Sequence, residues 1–152
     1  MKYLCGILIF VIIFSSCGSS HTNNNENLNI TNAEKEAFNS QKGEPVKIAN
    51  DSVEYEIIII DPGFYTWLNS IAMSRGYYSQ QFMENRNQIY VINWNQRVLN
   101  PSRYNPNLYE MQINYDPDID YGYEVNYQLY NYFLYFQRKY NQRLGPFFPR
   151  LN

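Results

Sequence analysis

The sequence predicts an α+β domain of three main helices and a small, two-stranded antiparallel sheet. Three stretches carry that reading. VEYEIIII (53–60) is a β-branched run broken by Asp61-Pro62-Gly63, LYEMQINY (108–115) alternates between two turn signals, and residues 121–142 repeat apolar side chains at helical spacing. A chain of 152 residues accommodates one such domain.

The first sixteen residues read as a signal peptide. Lys2 precedes an apolar run from Leu4 to Phe14, too short for the roughly 20 residues of a membrane span. Phe14-Ser15-Ser16-Cys17 resembles a bacterial lipoprotein signal, with Phe14 where leucine is usual. Cys17 is then the lipidated first residue of the mature chain. Cys5, the other cysteine, leaves with the signal, so the mature domain has neither disulfide nor free thiol. Loss of Lys2 takes the net charge from −2 to −3.

Residues 17–52 read as a lipidated, flexible tether, rich in Asn, Ser, Glu and Lys. NAEKEAFNSQK (32–42) can form a transient helix capped by Asn32, but only Ala33, Ala37 and Phe38 can face a core. A coil of this length has an end-to-end distance of roughly 30 Å.

The globular domain is placed at 53–152. Its first strand, 53–60, alternates and then becomes wholly apolar, as a strand entering the interior does. Asp61 is the expected N-cap of a helix with Pro62 at its first position, and Phe64, Trp67, Leu68 and Ile71 share one helical face that ends near Gly76. Residues 79–99 suit either a helix or, through IYVINW, a strand; their length and lack of turn residues favour a helix. Asn105-Pro106 and Asp116-Pro117 then bracket a half-buried strand that places Tyr109, Met111, Ile113 and Tyr115 on one face, against the Ile57–Ile60 run. The last helix centres on Val125, Leu129, Phe133, Phe136 and Tyr140. Glu124, Gln128, Asn131, Arg138 and Lys139 fall on its opposite arc.

Taken together, EYEIIIIDPGF, RGYYSQ, NWNQRV, NPNLYEMQINYDP and IDYGYEVNYQLYNYF resemble a tyrosine-rich family of Bacteroidetes lipoproteins catalogued as a domain of unknown function. The resemblance spans about residues 54–144. It implies a lipid-anchored envelope protein and brings no catalytic residue. Gly18 stands where an aspartate is associated with inner-membrane retention, and no acidic cluster of the surface-export kind follows Cys17. The expected location is the outer membrane, facing the periplasm.

Twelve Lys and Arg against fourteen Asp and Glu argue against a nucleic-acid partner. The one histidine, His21, lies in the tether, so a histidine triad or a His/Cys zinc site lacks its parts, and no Gly-rich phosphate loop is present. No cofactor is expected, and no metal. Asp116, Asp118 and Asp120 have the 1-3-5 spacing of a calcium loop. Tyr121 and Tyr127, however, occupy the positions of the turn glycine and the bidentate glutamate.

Two function classes remain. One is a non-catalytic binding or scaffolding module for an envelope protein or glycan. Its candidate ligand-binding residues are the loop-proximal Tyr77, Tyr78, Tyr104 and Tyr121, Arg86 and Arg97 on one face of the second helix, and Asp61 at a strand–helix junction. The alternative is a periplasmic glycan hydrolase that pairs Asp61 with one of Asp116, Asp118, Asp120 or Glu124, since such enzymes set two carboxylates about 5–10 Å apart. An aromatic groove without paired acids favours the first; opposed carboxylates favour the second.

Overall fold

The computed structural model describes residues 28–151. The expected signal peptide and Cys17 lie outside them. Elements follow in the order α1 (Asn32–Phe38), β1 (Val46–Asn50), a 3-10 turn (Asp51–Val53), β2 (Tyr55–Ile59), α2 (Pro62–Ser70), α3 (Gln80–Val98) and α4 (Gly122–Lys139). This is an α+β fold with four helices and one two-stranded antiparallel sheet.

Helix α4 organises the core. Val125, Leu129 and Phe133 are buried as their spacing requires, but so are Tyr127, Tyr130, Tyr135 and Gln137 around the rest of the helix. A helix buried on most of its circumference needs neighbours on several sides, and α2, α3 and β1 supply them. Contacts between α3 and α4 advance together along both helices: Gln80 meets Asp120, Asn87 meets Asn126, and Trp94 meets Phe136. The two helices therefore run parallel, which demands a long crossover between them. Trp94 packs at 4.8–5.0 Å against Phe136 and Tyr109 in edge-on geometry, the arrangement that ring quadrupoles favour.

Residues 79–99 do form the helix that their length favours, with Ser79 accepting the Phe82 N–H as N-cap. Asp61 caps α2 through the Gly63 N–H at 2.9 Å, with Pro62 at the start. Gly63 is required there, because a Cβ would lie 2.5 Å from the Tyr135 hydroxyl and 2.9 Å from the Phe38 carbonyl.

Several expectations are corrected. Residues 29–50 belong to the fold instead of to a tether, so the folded unit begins well before 53. Thr31 and Glu34 form a capping box on α1, and Glu34, fully buried, pairs with Arg138. Arg138, assigned by periodicity to the solvent arc, is only 6 % exposed because this segment covers it. Tyr140, expected on the buried centre line, is instead 36 % exposed.

The partner of β2 is β1, paired Ile48 to Ile57 and Lys47 to Ile58, and not residues 108–115. Residues 108–115, finally, are not a strand. The crossover lies along α3 and finds side-chain partners in place of a ladder. Asn95 bonds both the N–H and the carbonyl of Ile113, and the Trp94 indole donates to the Met111 carbonyl. Tyr109 and Ile113 are buried while Met111, between them, is 76 % exposed.

Candidate functional site

An aromatic ridge with an arginine inside it runs along the first half of α3. The Ser79 cap starts the helix, and the i, i+4 spacing puts Phe82 and Arg86 on one flank. Just before the helix, Tyr77 and Tyr78 meet edge-on at 4.7 Å, and Tyr78 stacks on Phe82 at 5.1 Å. The Arg86 guanidinium lies 5.1 Å from the Phe82 ring centre and 3.1 Å from that of Phe147, so two aromatic faces hold it. Its Nη1 is buried and has no hydrogen-bond acceptor among the described residues. Tyr130 closes the inner side against Tyr78 and Phe82, and burial pushes its hydroxyl far above the usual tyrosine pKa. Tyr77 is the outward member, 56 % exposed.

Three of the sequence candidates, Tyr77, Tyr78 and Arg86, thus share one surface. The others do not join it. Arg97 shares a helix face with Arg86 but lies about 16 Å further along α3. There it bonds the Tyr109 hydroxyl at 2.5 Å and the Arg143 carbonyl, fixing the chain after α4. Tyr104 lies under that guanidinium at 5.0 Å. Tyr121 is no loop platform: it is 3 % exposed, packed between Tyr55 and Tyr115, and its hydroxyl accepts the Asp116 N–H.

Asp61 is engaged structurally. Besides capping α2, it accepts from the Tyr135 hydroxyl at 2.8 Å and pairs with Lys139 at 2.7 Å. Burial first, and then the bond to Asp61, drive the Tyr135 pKa upward, so this hydroxyl stays protonated.

The opposed carboxylates are Glu84 and Asp120. Both accept from the same Gln80 amide nitrogen at 2.8 Å, which places one carboxylate on either side of that side chain. Glu84 was not singled out by sequence, and its only local signal is the i, i+4 relation to Gln80. Behind the pair, Asn126 accepts from Asn87 at 3.1 Å and from Tyr115 at 2.7 Å. Two acids of the loop, Asp120 itself among them, serve its turns. Asp116 accepts the Asp118 N–H, and Asp120 the Gly122 N–H, where Gly122 takes φ +77°. Glu124 forks onto Arg75, and that hydrogen bond lowers its pKa against the opposing effect of burial.

With this geometry established, the family can be given. The profile of a family of unknown function, DUF6146, matches residues 4–147. The chain belongs to DUF6146. No curated protein and no solved structure matches it. The DUF6146 match includes α1 and β1, the segment that the structure adds to the folded unit.

In this DUF6146 chain an open groove of about 470 Å³ lies between α1 and α2, lined by Ala33, Ser40, Gln41, Lys42, Thr66 and Ser70. Its hydroxyls are engaged locally: Thr66 bonds Ser40, and Ser70 bonds the Thr66 carbonyl. Among the described residues no group of three or more His, Cys, Asp or Glu could hold a metal ion, and no helix is long and apolar enough to cross a membrane.

Proposed function

We propose that this DUF6146 chain is a Bacteroidetes-type envelope lipoprotein, acylated at Cys17, whose domain binds or scaffolds another envelope component without catalysis. The observation that carries the non-catalytic reading is the state of Asp61, whose oxygens are taken by a helix cap, a tyrosine and a lysine. The ridge of Tyr77, Tyr78, Phe82 and Arg86 supplies a surface for a ring-shaped or anionic partner. Cys17 and Gly18 favour an outer-membrane placement facing the periplasm.

Two measurements test this. Cys17→Ala is expected to move the protein from the membrane to the soluble fraction, since acyl burial contributes about 0.8 kcal/mol per CH₂; unchanged membrane partitioning refutes the anchor. Crosslinking the native protein in cells is expected to capture an envelope component that Tyr77→Ala loses, with the fold intact. Equal capture by the variant removes the ridge from the reading.

A second reading, the carboxylate-dependent glycan hydrolase, now rests on Glu84 and Asp120 in place of Asp61. Release of reducing ends from envelope glycan by the purified domain, abolished by Glu84→Gln and by Asp120→Asn, would establish it. No release by the wild-type domain dismisses it.

A further inference from the structure

Because α3 and α4 run parallel, the structure has two chemically distinct ends. At the N-terminal end of both helices stand Asp116, Asp118, Asp120, Glu124 and Glu84, with Arg75 paired to Glu124. Asp51 and Glu54 adjoin the same end, since the Asn50 side chain bonds the Tyr121 carbonyl and the Tyr55 ring packs at a tilt against Tyr121. At the C-terminal end stand Arg97, Arg103, Arg138, Lys139 and Arg143. Glu34 and Asp61 neutralise two of these, and Glu110 adjoins Tyr109 there, which leaves the end cationic on balance. Acids at helix N-termini and bases at C-termini complement both macrodipoles. With two parallel helices the arrangement divides the whole domain. The poles are separated by the length of α4, about 27 Å.

The chain enters the fold near the basic end. Arg138, in the last turn of α4, holds the Asn29 carbonyl at 2.9 Å and Glu34 at 2.5–2.7 Å. Cys17 and Asn29 are twelve residues apart, at most about 40 Å of fully extended chain. A 124-residue domain has a radius of gyration of about 14 Å, so a lipid on Cys17 keeps it at the membrane surface. That leash by itself lets either pole approach the lipid. The charges choose between them, because phosphate headgroups attract Lys and Arg and repel carboxylates.

We infer that the domain docks its basic pole on anionic lipid headgroups and turns the Asp116–Glu124 loop away from the membrane. This rests on the acylation of Cys17 proposed above and adds the face and the lipid chemistry. The Glu84–Asp120 pair and the start of the aromatic ridge are thereby presented outward, to a partner in the periplasmic space.

The test uses the native lipoprotein reconstituted in vesicles containing anionic phospholipid and a headgroup-attached quencher. Fluorophores are placed at Ser102→Cys, beside the basic pole, or at Ile119→Cys, in the acidic loop; both positions are exposed. Mass spectrometry reports acylation separately. The Ser102 label is expected to be quenched at least threefold more than the Ile119 label, with the difference shrinking in zwitterionic vesicles or at high salt. An acylated protein whose two labels quench equally, or whose Ile119 label quenches more, overturns the docking face and leaves the anchor intact. A protein that carries no acyl group overturns the anchor, and the docking face with it.

Discussion

The Glu34–Arg138 pair joins residues 104 positions apart, and replacing Glu34 by glutamine isolates its charge. Glutamine keeps the shape and still offers an oxygen to the Thr31 N–H of the capping box, which Glu34 accepts at 3.0 Å. What disappears is the counter-charge of a guanidinium whose side chain is 5 % exposed beside a carboxylate that is 0 % exposed. Arg138 would keep the Pro149 and Asn29 carbonyls at 2.8 and 2.9 Å, but its charge would have no opposite partner. Breaking one side of a buried pair costs about 3–5 kcal/mol. For a domain of this size each kcal/mol moves Tm by about 3–5 °C, so Glu34→Gln should lower Tm by about 9–25 °C.

The pH dependence gives an independent handle on the same pair. Burial opposes ionisation of Glu34, yet the Arg138 hydrogen bond, the Thr31 N–H and the Arg138 charge together hold its pKa below the ordinary 4.5. The unfolded chain therefore takes up this proton first as pH falls. The stabilisation is complete above about pH 4.5 and is lost as pH drops through the lower folded-state value. Thermal melts from pH 7 to pH 3 should show the wild type losing more stability than the glutamine variant across the acidic range. A Tm change under 3 °C at pH 7, with parallel acid profiles, would refute the assignment of Glu34 to a buried, charge-paired site.

Truncation to residues 53–152 should abolish cooperative unfolding or lower Tm by more than 15 °C, because it removes the only strand paired to β2 among the described residues and the counter-ion of Arg138. Equal melts for 28–152 and 53–152 would show that α1 and β1 add nothing. Gly63→Ala should cost about 1–3 kcal/mol through overpacking against the Tyr135 hydroxyl and the α1 carbonyls, read as a lower urea midpoint with unchanged slope. Chelator followed by millimolar calcium should leave Tm unchanged, since Asp116 and Asp120 each direct an oxygen to turn N–H groups. A ligand at 100 times its dissociation constant would add about 2.7 kcal/mol, and a rise abolished by Asp118→Ala would overturn this.

The sequence by itself determined α2 and α4 closely, because their signals are local. Asp61-Pro62 names a helix start within three residues, and the apolar repeat of Val125, Leu129 and Phe133 needs only the helical period. Helix α3 was legible through its length, and Asp61 as a cap through its position. Other features were decided at long range. VKIAN is a strand because β2 pairs with it, and five residues in a polar stretch carry no such instruction alone. LYEMQINY has a strand's alternation, but Trp94 and Asn95 satisfy its backbone from a helix, and alternation cannot report which kind of partner arrives. The helical wheel put Arg138 in water. It is buried because Glu34, contributed from the far end of the chain, neutralises it there, and only that encounter makes the burial of a charge tolerable. Glu84 and Asp120 likewise face each other, and Tyr77, Tyr78 and Arg86 share a surface with Phe147, only because packing α3 parallel to α4 and folding the tail across it brings together groups that local propensity leaves independent.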